Sequence, residues 1–162
     1  MERDRLKFSI ERFDHYYDSV NSKCAVFLAL STFIVGALIA AYPIILDKLT
    51  NSVWVHLSIA SLIAIGVMIM IVVIGAATPF NSKGGNSLLY FGSIGELEPQ
   101  DFRARSAVLS TDEELADLRT QVYELSKGLR DKFKSLRWAG ILFIIQFALL
   151  IPFTILIVTH VK

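Results

Sequence analysis

Charge is what this sequence lacks where most proteins carry it. Aspartate, glutamate, lysine and arginine are absent from three stretches, residues 24–46, 49–82 and 138–161. Each stretch is longer than the roughly 18 residues that mark a membrane span, and a span needs about 20 residues at 1.5 Å rise. A single soluble core of this size could not hide three such helices, so the sequence reads as an integral membrane protein. The lone cysteine, Cys24, excludes an intramolecular disulfide and any zinc site built on several thiolates. Charge of one sign is also missing: sixteen Lys and Arg face fifteen Asp and Glu, a net charge of +1, which excludes a strongly basic nucleic-acid binder and an acidic disordered tail. A cleavable signal peptide is not expected either, because the first apolar run begins near residue 24 and is too long for one. Only three histidines are present, and no HExxH, nucleophile elbow, P-loop or GxGxxG motif occurs. The expectation is no catalytic residue, no metal and no enzyme activity. Carboxylates inside the spans, which a proton-relay transporter needs, are missing too.

What is present sets the orientation. Fourteen of the basic residues fall in the N-terminal segment and the long connection between the second and third spans. Only Lys48 and Lys162 fall on the other side. The positive-inside rule therefore predicts a cytoplasmic N-terminus, a cytoplasmic connection and an outside C-terminus. Tyr42 and Trp54 at the short outer turn and Trp138 at the inner edge of the third span suit membrane interfaces. The predicted layout is an all-α protein: a cytoplasmic amphipathic helix over 1–23, continuous with a first span over 24–46; a second span over 53–77; a cytoplasmic sensor and oligomerisation region over 78–137; and a third span over 138–160.

Within the spans, Gly36 and Ala40 form a small-xxx-small pair that lets another backbone approach, and Ala60 and Ala64 form a second. Pro43 and Pro152 each free a carbonyl and invite a kink. Gln146 is the best pore-lining candidate, and the competing reading is an interhelical hydrogen bond holding the bundle together.

The polar regions carry helical periodicity. Leu6, Ile10, Phe13, Tyr17, Val20 and Cys24 recur at steps of four and three, and no Pro or Gly precedes Gly36, so one helix should run into the first span. Thr111 with Glu114 forms a capping-box signature that opens a second helix. Leu115, Leu118, Val122, Leu125, Leu129 and Leu136 then follow at heptad spacing. Two parallel helices with such seams can bury them against each other or against copies in neighbouring chains; on the second alternative Leu118, Val122, Leu125 and Leu129 are oligomer contacts. Lys127, Arg130, Lys132, Lys134 and Arg137 crowd the last turns, as expected beside an anionic leaflet. Residues 78–110 read as irregular, with a turn cluster over 79–86 and a short apolar run over 87–94 (SLLYFGSI).

Three patches resemble one family: 17–28 (YDSVNSKCAVFL), 86–94 (NSLLYFGSI) and 121–139 (QVYELSKGLRDKFKSLRWA). They are similar to the polar–Lys–small, aromatic–Gly and Lys–aromatic segments of the Pycsar effector transmembrane family, which is found in bacterial antiphage operons beside a pyrimidine cyclase. The family tends to carry an acidic residue where this sequence has Asn21, so no charge-based role is carried to that position. The resemblance implies a bacterial inner-membrane, multi-pass effector with no cofactor. Its activating ligand would be cyclic UMP or cyclic CMP made by the partner cyclase. The response would be oligomerisation and damage to the bilayer, ending in abortive infection. A site for a cyclic pyrimidine nucleotide needs a flat platform, amide groups for the base edge and one or two cations. The candidates are Tyr90 and Phe91 for stacking, Asn81 and Asn86 for the edge, and Arg103 and Arg105 for the phosphate. Asn21 and Lys23 are expected at the same membrane-proximal level. Two other readings compete: a membrane anchor or scaffold that recruits a cytoplasmic partner, and a related effector answering another nucleotide signal.

Overall fold

The computed structural model describes residues 1–48, 53–79 and 87–160, which are mostly helical with no strand among them. Five helices follow in order: α1 (Glu2–Lys48), α2 (Val53–Ala77), α3 (Phe91–Gly95), α4 (Pro99–Val108) and α5 (Thr111–His160). Three of them, α1, α2 and α5, are long and apolar enough to cross a membrane. The helix continues through Pro43 in α1 and through Pro152 in α5. The chain divides into two compact units. The first comprises Met1–Ser19 and Pro79–Asp131, the second Val20–Thr78 and Lys132–Lys162.

The second unit is the membrane bundle. In α2 the buried positions are Val55, Ile59, Leu62, Gly66, Ile69, Val73 and Ala76, alternating steps of four and three. That spacing keeps one stripe of the helix on its neighbours. Cys24, Ser31, Val35 and Leu38 of α1 and Ala139, Phe143, Gln146 and Phe153 of α5 are buried on matching stripes. The opposite faces are equally apolar but exposed: Phe33, Ile71 and Ile144 are each more than three-fifths accessible. A helix that is apolar all round with only one stripe packed belongs in lipid, and the protein is a multi-pass membrane protein.

The small-residue pairs do not pack within this bundle. Gly36, Ala40, Ala60 and Ala64 are all exposed, and a Cβ on Gly36 would meet nothing within 4 Å. The glycine that permits close approach is Gly66, where an added Cβ would collide with Val35 and lie 2.8 Å from Gln146 Nε2. Spacing alone marks small pairs, but which face of a helix turns inward depends on three helices together.

The first unit is built from the polar ends of α1 and α5 with the two short helices. Arg119 donates twice to the Glu2 carboxylate, at 2.9 Å from Nε and 2.9 Å from Nη2. Arg3 pairs with Glu114 at 2.7 Å, and the Tyr17 hydroxyl donates to the Leu125 carbonyl at 2.9 Å. These exposed ion pairs set register more than they add stability. The apolar seam supplies the burial: Leu118 and Leu129 are buried, and Val122 and Leu125 are half-buried. The heptad leucines thus already have partners inside one chain.

Two expectations need correction. The capping box of α5 is Ser110 with Glu113, one residue earlier than Thr111 with Glu114. The Ser110 N–H donates to Glu113 Oε2 at 2.9 Å, and the Glu113 N–H donates back to Ser110 Oγ at 3.3 Å. Both registers satisfy the S/T-x-x-E pattern, and the one adopted leaves Glu114 to pair with Arg3. The hydrogen bonds from the Ser110 backbone and hydroxyl hold the Glu113 carboxyl below the usual range. The segment read as irregular also contains α3 and α4, and α4 starts on Pro99 at its first position, where a missing N–H costs nothing.

Candidate functional site

The apolar run over 87–94 is held in place by polar groups. Ser87 is buried, and its Oγ accepts the backbone N–H of Leu89 at 3.1 Å and of Tyr90 at 3.0 Å. Gln121, also buried, donates from Nε2 to the same oxygen at 3.0 Å. Asp117, one turn earlier on α5, accepts the Leu88 N–H at 2.9 Å. Asp117 and Gln121 thus share one face of α5 and clamp the backbone that leads into α3. Neither the heptad pattern nor the turn cluster pointed to them. The available signal was their i, i+4 spacing beside the buried Leu118.

This clamp positions the aromatic pair. Tyr90 is extended (φ −91°, ψ 122°) and precedes α3, with no side chain capping the helix. Its ring lies 4.9 Å from that of Phe91 at 55°, and over Gly92, where a Cβ would come within 2.6 Å of the Tyr90 ring. A glycine at 92 is what lets the ring lie down there. Tyr90 is half-buried, but Phe91 is 71% exposed, so an apolar ring is presented outward.

Arg103 and Arg105 are exposed on α4, a helix with no buried residue, and neither has a carboxylate partner among the described residues. No hydrogen bond or ion pair links them to Tyr90 or Phe91. Asn21 and Lys23 are exposed on α1 in the second unit, whereas the aromatic pair and the two arginines belong to the first. Asn81 and Asn86 lie outside the described residues. Tyr90 and Phe91 are therefore the two candidates that the structure brings into contact. Among the described residues, no group of three or more His, Cys, Asp or Glu could hold a metal ion.

In the membrane bundle, Gln146 is fully buried and donates from Nε2 to the Leu62 carbonyl at 3.1 Å. In the single chain it joins two helices. Lys132 departs from the expected basic fringe in the same way. It is buried, and its ammonium donates to the Ala76 carbonyl and, at 2.8 Å, to the Thr78 carbonyl, at the C-terminal end of α2. A cation there satisfies orphan carbonyls and opposes the negative end of the helix dipole.

Three apolar spans, a polar unit made from extensions of two of them, and an aromatic pair displayed by a polar clamp define a class: a small helical membrane protein with a structured extramembrane part. The chain belongs to the Pycsar effector protein domain family, whose model matches residues 5–160. No curated protein and no solved structure matches the chain. Membership places the protein in an antiphage effector family associated with a cyclase-linked system.

Proposed function

We propose that the protein is a non-enzymatic effector of bacterial antiphage defence, gated by a cyclic pyrimidine nucleotide, cyclic UMP or cyclic CMP. The polar unit lies in the cytoplasm, a reading that the distribution of basic residues supports under the positive-inside rule. Nucleotide made by a partner cyclase binds there, the chains associate, and the assembly impairs the inner membrane so that the infected cell stops before phage release. The observation that carries this reading is the family match over residues 5–160, which takes in both the polar unit and the three spans. The displayed Phe91 and the exposed Arg103 and Arg105, without a carboxylate partner among the described residues, support it, since a nucleotide offers a flat base and one negative phosphate.

The test is thermal unfolding of the detergent-solubilised full chain against a panel of cyclic nucleotides, paired with dye release from liposomes. A ligand that binds only the folded state at 100 times its Kd adds about 2.7 kcal/mol. Cyclic UMP or CMP should raise the transition and trigger release. A response to a different cyclic nucleotide alone would move the signal to another class. No response to any would favour a scaffold.

A further inference from the structure

Serine and threonine inside a membrane helix ordinarily turn their hydroxyls back onto their own backbone, because no water is there to take the hydrogen bond. Ser58, Ser61 and Thr154 do so, donating to the carbonyls of Trp54, Leu57 and Leu150 at 2.7–2.8 Å. Ser31 does not. It is fully buried, and its Oγ has no hydrogen-bond partner. Gln146 is fully buried as well; Nε2 is used by the Leu62 carbonyl, but Oε1 has no partner. These are the two buried side-chain oxygens left unsatisfied among the described residues.

Both belong to one crossing in the membrane bundle. Val35, one turn beyond Ser31 on the same buried stripe, and Gln146 both come against Gly66 so closely that a Cβ there has no room. One turn the other way, Phe27 stacks on Phe143 at 5.4 Å and 17°. Ser31 is four residues beyond Phe27 on α1 and Gln146 three beyond Phe143 on α5, a rise of about 6 and about 4.5 Å. Ser31 thus lies between the stacked rings and the Val35–Gly66 contact along α1, and Gln146, itself part of that contact, starts within about 1.5 Å of the same level on α5.

We propose that Ser31 and Gln146 form an internal water site in the membrane bundle. The water donates to Gln146 Oε1 and shares a hydrogen bond with the Ser31 hydroxyl, which acts as donor or acceptor. Buried waters typically satisfy groups of this kind with two to four polar partners. By sequence Gln146 suits a pore lining or an interhelical bond. The structure assigns it a second task on its other atom, and Ser31 becomes its partner.

The test is nuclear Overhauser transfer from water to side-chain amides in the full chain, labelled with ¹⁵N-glutamine and reconstituted in lipid nanodiscs. The three glutamines are Gln100, Gln121 and Gln146; Gln100 is exposed and serves as the positive control. Transfer to the Gln146 amide is expected from the internal water, since a fully buried amide has no bulk water beside it to supply the signal. Ser31→Ala should reduce that transfer several-fold while leaving Gln100 unchanged. If Gln146 shows no transfer while Gln100 does, the site is dry and the proposal fails. It fails too if Gln146 shows none but Ser31→Ala moves its resonances, since that marks a direct Ser31–Gln146 hydrogen bond. Should Ser31→Ala not fold, the wild-type transfer alone decides.

Discussion

Lys132 Nζ donates to the Thr78 carbonyl at 2.8 Å, so the last turn of α2 ends on a cation supplied by α5. Lys132→Met keeps most of the volume and removes the donor, leaving the carbonyls of Ala76 and Thr78 without it. A lost partner at a buried polar group costs about 1–3 kcal/mol. Thermal unfolding in detergent should show that loss, and an unchanged transition would mean water replaces the ammonium.

Gly66 and Gly36 make a matched pair of tests. Gly66→Ala places a methyl against Val35 and Gln146, and overpacking of this kind costs about 1–3 kcal/mol. A Cβ at Gly36 meets nothing within 4 Å among the described residues, so Gly36→Leu should leave the melting temperature within error. If Gly36→Leu nonetheless abolishes dye release at equal expression, the exposed small face of α1 packs against another copy. Full release from that variant would remove Gly36 and Ala40 from any interface.

The three spans and the long helices entering two of them were legible because charge-free runs and an unbroken seam leave little else for the chain to do. Lys132 was not. In sequence it is one of five bases crowding the start of the third span, and only the position of the α2 terminus distinguishes it from Lys134. Sequence does not separate the two registers of the capping box, because Ser110–Glu113 and Thr111–Glu114 fit the same pattern. The aromatic pair could be read from SLLYFGSI, but its anchor could not, since Gln121 reaches Ser87 and Asp117 reaches the Leu88 N–H by tertiary hydrogen bonds across about 30 residues.

The clamp on residues 87–90 gives a third prediction. A double-mutant cycle of Ser87→Ala and Gln121→Leu should show a coupling energy of about 1 kcal/mol. Protease sensitivity of the α3 segment should rise in each single variant. Additive effects within error would show that the backbone N–H groups of Leu89 and Tyr90 do the anchoring alone.

Association of chains needs a test that leaves the fold alone. Leu118→Glu buries a carboxylate where the side chain is 2% exposed, so it should unfold the first unit whatever the oligomeric state. Tyr123, 65% exposed on the same helix, is the informative position. If copies meet along the polar part of α5, Tyr123→Glu should lower the mass measured by light scattering with ligand present and leave the melting temperature within about 0.5 kcal/mol equivalent. An unchanged mass would place the interface elsewhere, in the membrane bundle.

The nucleotide reading stands or falls on α4 and the aromatic pair. Arg103→Glu with Arg105→Glu reverses two exposed charges on a helix that buries nothing, so folding should be unaffected. A charge-assisted contact to a phosphate is worth about 1.5–3 kcal/mol. Affinity for cyclic UMP or CMP, measured by calorimetry, should therefore fall by at least about tenfold, since 1.4 kcal/mol is one decade. Phe91→Ala removes a ring that is largely exposed and should cost affinity without cost in stability. Tyr90→Ala should cost both, because its ring also covers Gly92. Wild-type affinity in the double arginine variant would show that the phosphate is held elsewhere. Lys23, exposed on α1, is then the next cation to reverse.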